Sequence, residues 1–405
     1  MFERAPFKLC PKCSADNALG TLWVGGTSLT RRCKNCGNKV YYELPKPRKK
    51  IIYLDQNAIS NIFNVSSSKT PKIGNRDFFW RKVSELSRKI FLLQQAVFPL
   101  SDIHRDETLV YLHAEALNLT HEMLGGDISF VNSEAIITAQ TIDFLEKFLS
   151  GESSPSVNFD PEDAITGIKD KWISDLHITA SMDFSVFAEE IRADRDAISP
   201  AYDGLLKHWE ERRPTFREAL HVELEGYGIE NKRALQLAAS ELASAIERGD
   251  FNAAMKERSK RIYRQFITLR FHIEQFGIPK SESALKVFDF WSWKGNYNLP
   301  HNKILSYLFA ALARRISSGQ RNRPRISIFN DFRAISTYAP YVDAMFLDNE
   351  CANLLNEEPL KTELGLSSKA FSTKTGDSYI SYLEDIETNT PEAVRAWANE
   401  IYGLK

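Results

Sequence analysis

The sequence predicts an α/β fold, in which a mostly parallel sheet flanked by helices is interrupted by a long helical insertion and preceded by a small cysteine-rich module. Short apolar runs at 51–54, 96–100 and 344–347 have the length of buried strands, and a helical pattern follows each of them. Strands that alternate with helices predict a parallel sheet. Residues 161–299 have a predominantly helical pattern, which predicts the insertion.

Composition and charge exclude several classes of protein. The chain has 405 residues and a formal net charge of -1, so a nucleic-acid partner must be met by a local basic patch. No apolar run is long enough to span a membrane, and the first residues lack the basic-then-apolar pattern of a signal peptide. We therefore expect a cytoplasmic protein without a membrane partner.

Four of the five cysteines form two Cys-x-x-Cys pairs, Cys10 with Cys13 and Cys33 with Cys36. Two such pairs on tight turns supply the four thiolates of a tetrahedral zinc site. We predict a structural zinc ribbon over residues 1–44, because so small a module needs the metal to hold it together. Its basic residues fit either a nucleic-acid or a protein partner. They are Arg31, Arg32, Lys34 and Lys39.

The rest of the chain divides where its composition changes. A basic, proline-containing linker begins at residue 45, and a stretch rich in serine, proline and acids ends near residue 160. We predict three further parts, at 45–160, 161–299 and 300–405, of which the first and last form the interrupted α/β domain. Basic and aromatic residues interleave within the insertion, which fits either a grip on a nucleic-acid strand or an ordinary solvated face. They are Lys256, Arg258, Lys260, Arg261, Arg264 and Arg270, with Tyr263, Phe266 and Phe271 between them.

Acidic residues stand at the ends of several predicted elements. Asp55 closes the first apolar run, Asp348 closes the last one, and Asp331 begins a helix. Asp343 just precedes the last run and is a further candidate. Because the carboxyl ends of parallel strands meet at one edge of a sheet, we expect these carboxylates to cluster there.

A further acid lies on the helix that follows the second apolar run. It is either Asp102 or Glu107, of which we favour Glu107. Clustered carboxylates repel each other unless cations lie between them, and carboxylate oxygens suit Mg²⁺ or Mn²⁺. His104 on the same helix is either a proton-transfer group or, as we favour, a structural residue.

This order of strands, helices and acids resembles the PIN-like domain of metal-dependent nucleases. The resemblance covers about 50–150 and 300–375, and it leaves out the ribbon and the helical middle. Compact members of the family have a short connection where this chain has the insertion. The match rests on the opening strand 52–57 with Asp55 and the following Asn57, on Glu107 in a helix, on Asp331 at a helix start, and on Asp348 closing the strand 344–347.

The resemblance implies an endoribonuclease that hydrolyses RNA phosphodiesters with water activated by Mg²⁺. It implies that Asp55, Glu107, Asp331 and Asp348 are the catalytic residues and hold the Mg²⁺, with Asp343 as an additional ligand. DNA is the second substrate class. A role as a bacterial toxin or defence effector, with a regulatory protein partner, is what the resemblance further suggests.

Other interpretations stay open on the sequence alone. The chain is alternatively a non-catalytic RNA-binding or interaction protein that uses the ribbon and the basic insertion. It is alternatively a phosphate-handling enzyme with Asp55 as nucleophile, which the presence of Asn57 rather than a second aspartate disfavours. A third alternative is a scaffold in which the acids only cap helices.

Overall fold

The computed structural model describes residues 3–67, 77–109, 114–153, 155–173, 188–320 and 323–404. They form a mixed α/β protein with one antiparallel and one parallel four-stranded sheet, surrounded by helices. The predicted α/β class is thereby confirmed, whereas a PIN-like fold stays a prediction. Among these residues, no helix combines the length and apolar character needed to cross a membrane.

The N-terminal sheet contains four antiparallel strands in the order β1-β2-β3-β4. They are β1 Arg4–Lys8, β2 Leu19–Gly25, β3 Ser28–Cys33 and β4 Lys39–Glu43. A tight turn joins β2 to β3, and Gly26 within it has φ of 62°, a conformation that glycine adopts without strain. The strands therefore bring the two cysteine pairs to the same end of the sheet, where Cys33 lies opposite Leu19.

The second sheet is parallel, with strand order β6-β5-β7-β8. Its strands are β5 Lys50–Leu54, β6 Ala96–Val97, β7 Ala344–Phe346 and β8 Lys369–Phe371. Strand β5 is central and fully buried at Ile51 and Ile52, as a β-branched run covered on both faces should be. Tyr53 lies opposite Met345, so the first and last parts of the chain pair directly.

Helices cover both faces of the parallel sheet. Those of the first part are α1 Gln56–Ser66, α2 Asp77–Leu92, α3 Asp102–Leu109, α4 Ala114–Gly125 and α5 Ser133–Leu149. The sequence predicts a single helix from about 103 to 124. Helices α3 and α4 occupy its two ends, and residues 110–113 lie outside the described residues.

The middle of the chain is helical, as predicted. It contains α6 Ala188–Arg212, α7 Phe216–Glu247, α8 Phe251–Ser259, α9 Arg261–Gln275 and α10 Lys280–Ser292. The segment 235–276, predicted as one or two helices, belongs to three. Gly249 has a positive φ, the Asp250 side chain caps α8, and Lys260 is extended, so these residues break the helix twice.

The described residues of the last part of the chain include six α-helices. They are α11 Pro300–Ser317, α12 Ile328–Tyr338, α13 Asn349–Asn356, α14 Leu360–Leu364, α15 Gly376–Thr388 and α16 Glu392–Tyr402. Pro300 stands at the first helical position of α11, where its missing N–H costs nothing.

The helical middle shares its core with the parallel sheet. Tyr202 and Trp209 of α6 and Phe216 of α7 are buried in the same hydrophobic cluster as Ile51 and Met345. The predicted boundaries at residues 161 and 299 therefore divide a stretch of chain whose parts share one hydrophobic core.

The N-terminal sheet is docked on helix α16. Val24 and Leu29 share a buried cluster with Val394 and Ile401. The Arg31 side chain is fully buried, and its Nη2 donates to Glu400 Oε1 at 3.0 Å. Arg31, one of the basic residues predicted as free to bind a partner, is therefore used inside the protein.

Candidate active site

Four acidic side chains from distant parts of the chain line one open cavity of about 1300 Å³. They are Asp55, Glu107, Asp331 and Asp348. The cavity lies at the carboxyl edge of the parallel sheet, where β5 and β7 both end. The structure thus brings together the four acids that the sequence singled out.

Asp55 and Asp348 are held by two equivalent local structures. Asp55 follows β5 directly, Asp348 follows β7 after Leu347, and each caps the next helix. Asp55 Oδ1 accepts from the Ala58 N–H at 2.7 Å, and Asp348 Oδ1 accepts from the Cys351 N–H at 2.7 Å. The two units are adjacent, because the Asp55 N–H donates to the Phe346 carbonyl at 3.0 Å. Capping therefore fixes both carboxylates at the same edge of the sheet.

The other two acids come from helices that pass over this edge. Glu107 lies on α3, and its Oε1 accepts from Asn330 Nδ2 of α12 at 3.1 Å. Asp331 is the next residue on α12. A carboxylate oxygen of Asp331, one of Asp348 and the Cys351 Sγ all lie within 4.8 Å of one another.

The cavity disfavours the charged form of two of its acids, Asp331 and Asp55. Burial, followed by the charges of Asp348 and Glu107, raises the pKa of Asp331 to about 8. Burial also raises the pKa of Asp55 to about 7, helped by the same two neighbours and partly opposed by the Ala58 N–H. A divalent cation would relieve such repulsion, and carboxylate oxygens suit Mg²⁺ or Mn²⁺. Of the four acids, Asp331 and Asp348 have oxygens within the spacing of metal ligands.

The Cys351 thiol is not a convincing partner for such an ion. Its side chain is fully buried, and burial together with Asp331 and Asp348 raises its thiol pKa. The thiol therefore stays protonated at neutral pH, and the described role of Cys351 is to donate its backbone N–H to Asp348.

Asp102, the alternative second acid, has a structural environment. Its side chain is 7% exposed, and it accepts hydrogen bonds from Ser133 Oγ at 2.6 Å and from the Tyr338 hydroxyl at 2.7 Å. Burial alone would raise its pKa, but these hydrogen bonds outweigh burial and lower it. Glu107, rather than Asp102, lines the cavity.

Asp343 does not join the cluster, which corrects the sequence prediction. It precedes β7, so in a parallel sheet it lies at the amino edge, opposite to the cavity. Its carboxylate accepts from Lys50 Nζ at 2.7 Å and from the Ile51 N–H at 2.9 Å. Asp343 therefore ties the starts of two neighbouring strands together.

His104 belongs to the core beside the cavity. Its ring is buried and stacks on Tyr53 with the ring centroids 4.8 Å apart, and burial lowers its pKa to about 4. A group that stays neutral at neutral pH and is enclosed in this way serves packing, which agrees with the structural role favoured from the sequence.

The sequence analysis missed the residues around the rim of the cavity. A fifth acid, Glu350, lies two residues after Asp348, and four basic residues come from loops and helix ends. The basic residues are Arg315, Arg323, Arg325 and Lys374. Glu350 could have been found from its spacing to Asp348. The cations carry no comparable local signal, because their position depends on how the loops fold back.

The four N-terminal cysteines lie close enough together to hold a zinc ion, since all four Sγ atoms lie within 4.8 Å of one another. The Cys10–Cys36 and Cys13–Cys33 Sγ distances are both 3.7 Å, close to the roughly 3.8 Å that tetrahedral zinc–sulfur bonds of about 2.3 Å require. Backbone N–H groups of the two turns lower the pKa of Cys10 to about 6 and also lower that of Cys33. The predicted four-cysteine cluster is confirmed.

Comparison of the chain with protein-family models, with curated proteins and with solved structures gives no match. Any assignment of activity therefore rests on the residues of this chain and their geometry.

Proposed function

We propose that the protein is a metal-dependent nuclease that hydrolyses phosphodiesters with Mg²⁺ or Mn²⁺ in the acidic cavity. The observation that carries this proposal is the convergence of Asp55, Glu107, Asp331 and Asp348 on one cavity at the carboxyl edge of the sheet. A cluster that raises the pKa of two of its acids, Asp55 and Asp331, is costly for folding and useful for holding divalent cations.

In such a reaction the acidic side chains of the cavity would have two roles, to fix the position of the cation and to complete its ligands. The capped carboxylates of Asp55 and Asp348 are held rigidly, so they would keep a cation at a defined place at the sheet edge. Glu107 and Asp331 approach from helices and would complete the oxygen ligands. When bound, the cation supplies Lewis-acid activation of water and neutralises charge on the phosphate.

The rim of the cavity supports an anionic substrate. Arg325 and Lys374 are exposed, and within the described part of the chain neither forms an ion pair. Arg323 and Arg315 are paired with Glu210 at 2.8 Å and with Glu357 at 2.6 Å, respectively. Acids at the centre would hold cations, and basic residues at the rim would contact phosphates. This arrangement suits a ligand with several phosphates. A cavity of about 1300 Å³ also exceeds the usual size of a small-molecule site, which favours a polymer.

We propose RNA as the natural substrate, with DNA as the alternative, and a role as an endoribonuclease in toxin or defence systems under the control of a regulatory protein. These finer points come from the resemblance to PIN-like domains. The alternative of a non-catalytic binder that grips RNA with the basic insertion is disfavoured. Lys260 and Arg270 there are paired with the neighbouring acids Glu257 and Glu274.

A cleavage assay with a matched pair of variants tests the proposal. Labelled RNA and DNA are incubated with Mg²⁺, Mn²⁺ or EDTA and with wild-type protein, Asp348→Asn or Asp343→Asn. We expect metal-dependent cleavage by the wild type, a loss of at least about a hundredfold in Asp348→Asn, and the wild-type rate in Asp343→Asn. The last variant removes the same charge at the other edge of the sheet.

The parallel preparation of both variants also controls for contaminating nucleases. Cleavage by Asp348→Asn at the wild-type rate would refute the assignment of the site. So would the absence of cleavage by the wild type with either metal.

A further inference from the structure

A group of arginines gathers where the starts of α5 and α9 meet α12, outside the acidic cavity. Arg333 lies on α12, Arg261 and Arg264 lie on α9, and Arg105 of α3 is adjacent. We call these four residues the arginine patch. Arg264 pairs with Glu134 and Arg333 donates to the adjacent Ser133, so both side chains reach the start of α5. Arg261 lies within electrostatic range of Arg333 and Arg264, and Arg105 and Arg333 both act on Asp106.

The acids near the patch do not saturate these guanidinium groups. Glu134 pairs with Arg264 at 2.9 Å, and Asp106 pairs with Arg105 at 3.6 Å. Asp102 is occupied by Ser133 and Tyr338 and lies 3.9 Å from Arg333.

Two members of the patch keep unused hydrogen-bonding capacity within the described part of the chain. Arg261 forms no ion pair there, whereas Arg333 donates from Nη2 to Ser133 Oγ at 2.7 Å and only its buried Nε lacks a hydrogen-bond partner. Partial burial and then the charge of Arg333 lower the pKa of Arg261, which indicates that the cations repel each other. Like charges held together with spare donors are relieved by an anion between them.

The arginine patch begins beside Glu107, a residue that lines the acidic cavity. Asn330 donates to the cavity residue Glu107 at 3.1 Å, and Arg333 stands three residues further on α12, on the same helix face. Arg105 stands two residues before Glu107 on α3. A chain of phosphates that occupies the cavity could therefore continue over α12 onto α9.

We propose that the arginine patch binds the backbone phosphates of a nucleic-acid strand that extends from the acidic cavity. Guanidinium groups suit this ligand, because their planar forks bind phosphate oxygens in pairs. The proposal rests on the proposed nuclease function. It also gives the helical insertion a role in binding, because α9 supplies part of the substrate track.

Binding measured in the absence of divalent metal tests the patch separately from cleavage. Fluorescence anisotropy with a labelled single-stranded RNA of about 15 nucleotides is recorded against salt concentration, in Mg²⁺-free buffer. The test variant is Arg261→Gln with Arg264→Gln. The matched control is Arg233→Gln, which removes a cation from an exposed position of α7.

We expect the double variant to bind on the order of tenfold more weakly at 0.1 M salt, with a slope of log affinity against log salt that is shallower by about 1.4. The control should bind as the wild type does. Equal binding by wild type and double variant, or no binding by the wild type, overturns the patch as a strand-binding surface. Competition by inorganic phosphate as effective as that by unlabelled RNA overturns it too, because the site then takes a lone anion.

These outcomes are distinguishable from failure of the nuclease proposal. A protein that cuts RNA but binds it equally well without the two arginines refutes the patch alone. A protein whose binding depends on the patch but that never cuts refutes the nuclease alone.

Discussion

The Asp331 carboxyl is the most perturbed acid of the cavity, with a pKa of about 8, and Asp55 follows with about 7. Burial is the first cause for both residues. In an unfolded chain the two carboxyls would have ordinary pKa values of about 4. The folded, metal-free protein therefore holds protons that the unfolded chain has already lost, and their loss at higher pH opposes folding.

We predict that Asp331 and Asp55 make the free energy of unfolding of the Mg²⁺-free protein fall as the pH rises from about 7 to about 8.5, and that Asp331→Asn lessens this fall. At these two sites the folded state binds more protons than the unfolded state in this window, so their contribution to the slope is negative, at most about 1.4 kcal/mol per pH unit for each carboxyl. The buried histidines, whose pKa values are lowered, are largely neutral in both states there. Urea unfolding followed by tryptophan fluorescence measures the effect.

The Asp331→Asn variant is the control for this pH dependence. It removes one titrating carboxyl and leaves the cysteines and histidines unchanged, so its stability should depend less on pH. Added Mg²⁺ should flatten the wild-type curve in the same way, because it favours the ionised acids and stabilises the folded state by mass action. Identical slopes for wild type and variant would contradict the electrostatic account of the cavity.

The position of single residues was predictable where a local pattern determines it. Asp55 and Asp348 each follow an apolar run directly, and both lie at the carboxyl edge of the sheet. Asp343 could not be separated from them in the sequence, because an acid at either end of a short strand looks the same. Arg325 and Lys374 were missed as rim residues, because their place depends on tertiary packing of loops.

At the scale of elements, the N-terminal sheet is a small structure that is stabilised from two directions. The four cysteines close one end of it, and the contact of Val24 and Leu29 with α16 covers one face. The buried Arg31 adds a charged hydrogen bond to Glu400 of the same helix. Loss of the four-cysteine cluster should therefore also weaken the packing of the N-terminal sheet against α16.

We predict about one zinc ion per chain, and its loss in Cys36→Ser. Because a four-cysteine site contributes its binding free energy to folding, the melting temperature of the variant should fall. The control is Asn35→Ser, which places the same residue one position earlier in the same turn. Metal analysis and differential scanning calorimetry check both variants. Full zinc content in Cys36→Ser would contradict the assignment of the cluster.

The type of each element, helix or strand, was easier to predict than the residues at which it begins and ends. The strands β5 and β7 were expected close to where they occur, because uninterrupted apolar runs specify them. The breaks within 235–276 were not, because Asp250 and Lys260 end helices through their backbone conformation and their neighbours. The basic face expected there is partly used in ion pairs, some with nearby acids such as Glu274 and one with the distant Glu134.

At the scale of the whole molecule, the insertion is part of the core that supports the cavity. Tyr202, Trp209 and Phe216 are buried in the cluster that also contains Ile51 of the central strand. The sequence suggested a separable helical part, because a polar, proline-containing stretch precedes it. That stretch does not show whether the hydrophobic residues of the helices pack among themselves or against the parallel sheet. Only the folded structure shows with which core they pack.

We therefore predict that a variant in which a short Gly-Ser linker replaces residues 188–299 does not fold. Loss of one large buried aromatic side chain costs about 3–5 kcal/mol, so the loss of three costs about 10 kcal/mol. That is comparable with the whole free energy of unfolding of a typical protein, about 5–15 kcal/mol. Circular dichroism and size-exclusion chromatography of the deletion variant check this outcome.

Two point variants distinguish the effect of losing a buried side chain of the helical middle from the effect of losing an exposed one. Trp209→Ala removes one buried ring and should lower the free energy of unfolding by about 3–5 kcal/mol. Leu285→Ala alters an exposed residue of α10, 67% accessible, and should leave stability nearly unchanged. A soluble deletion variant with a cooperative transition would mean that the sheet and its cavity fold without the insertion. The substrate track proposed on α9 would then be an addition to an independent nuclease domain.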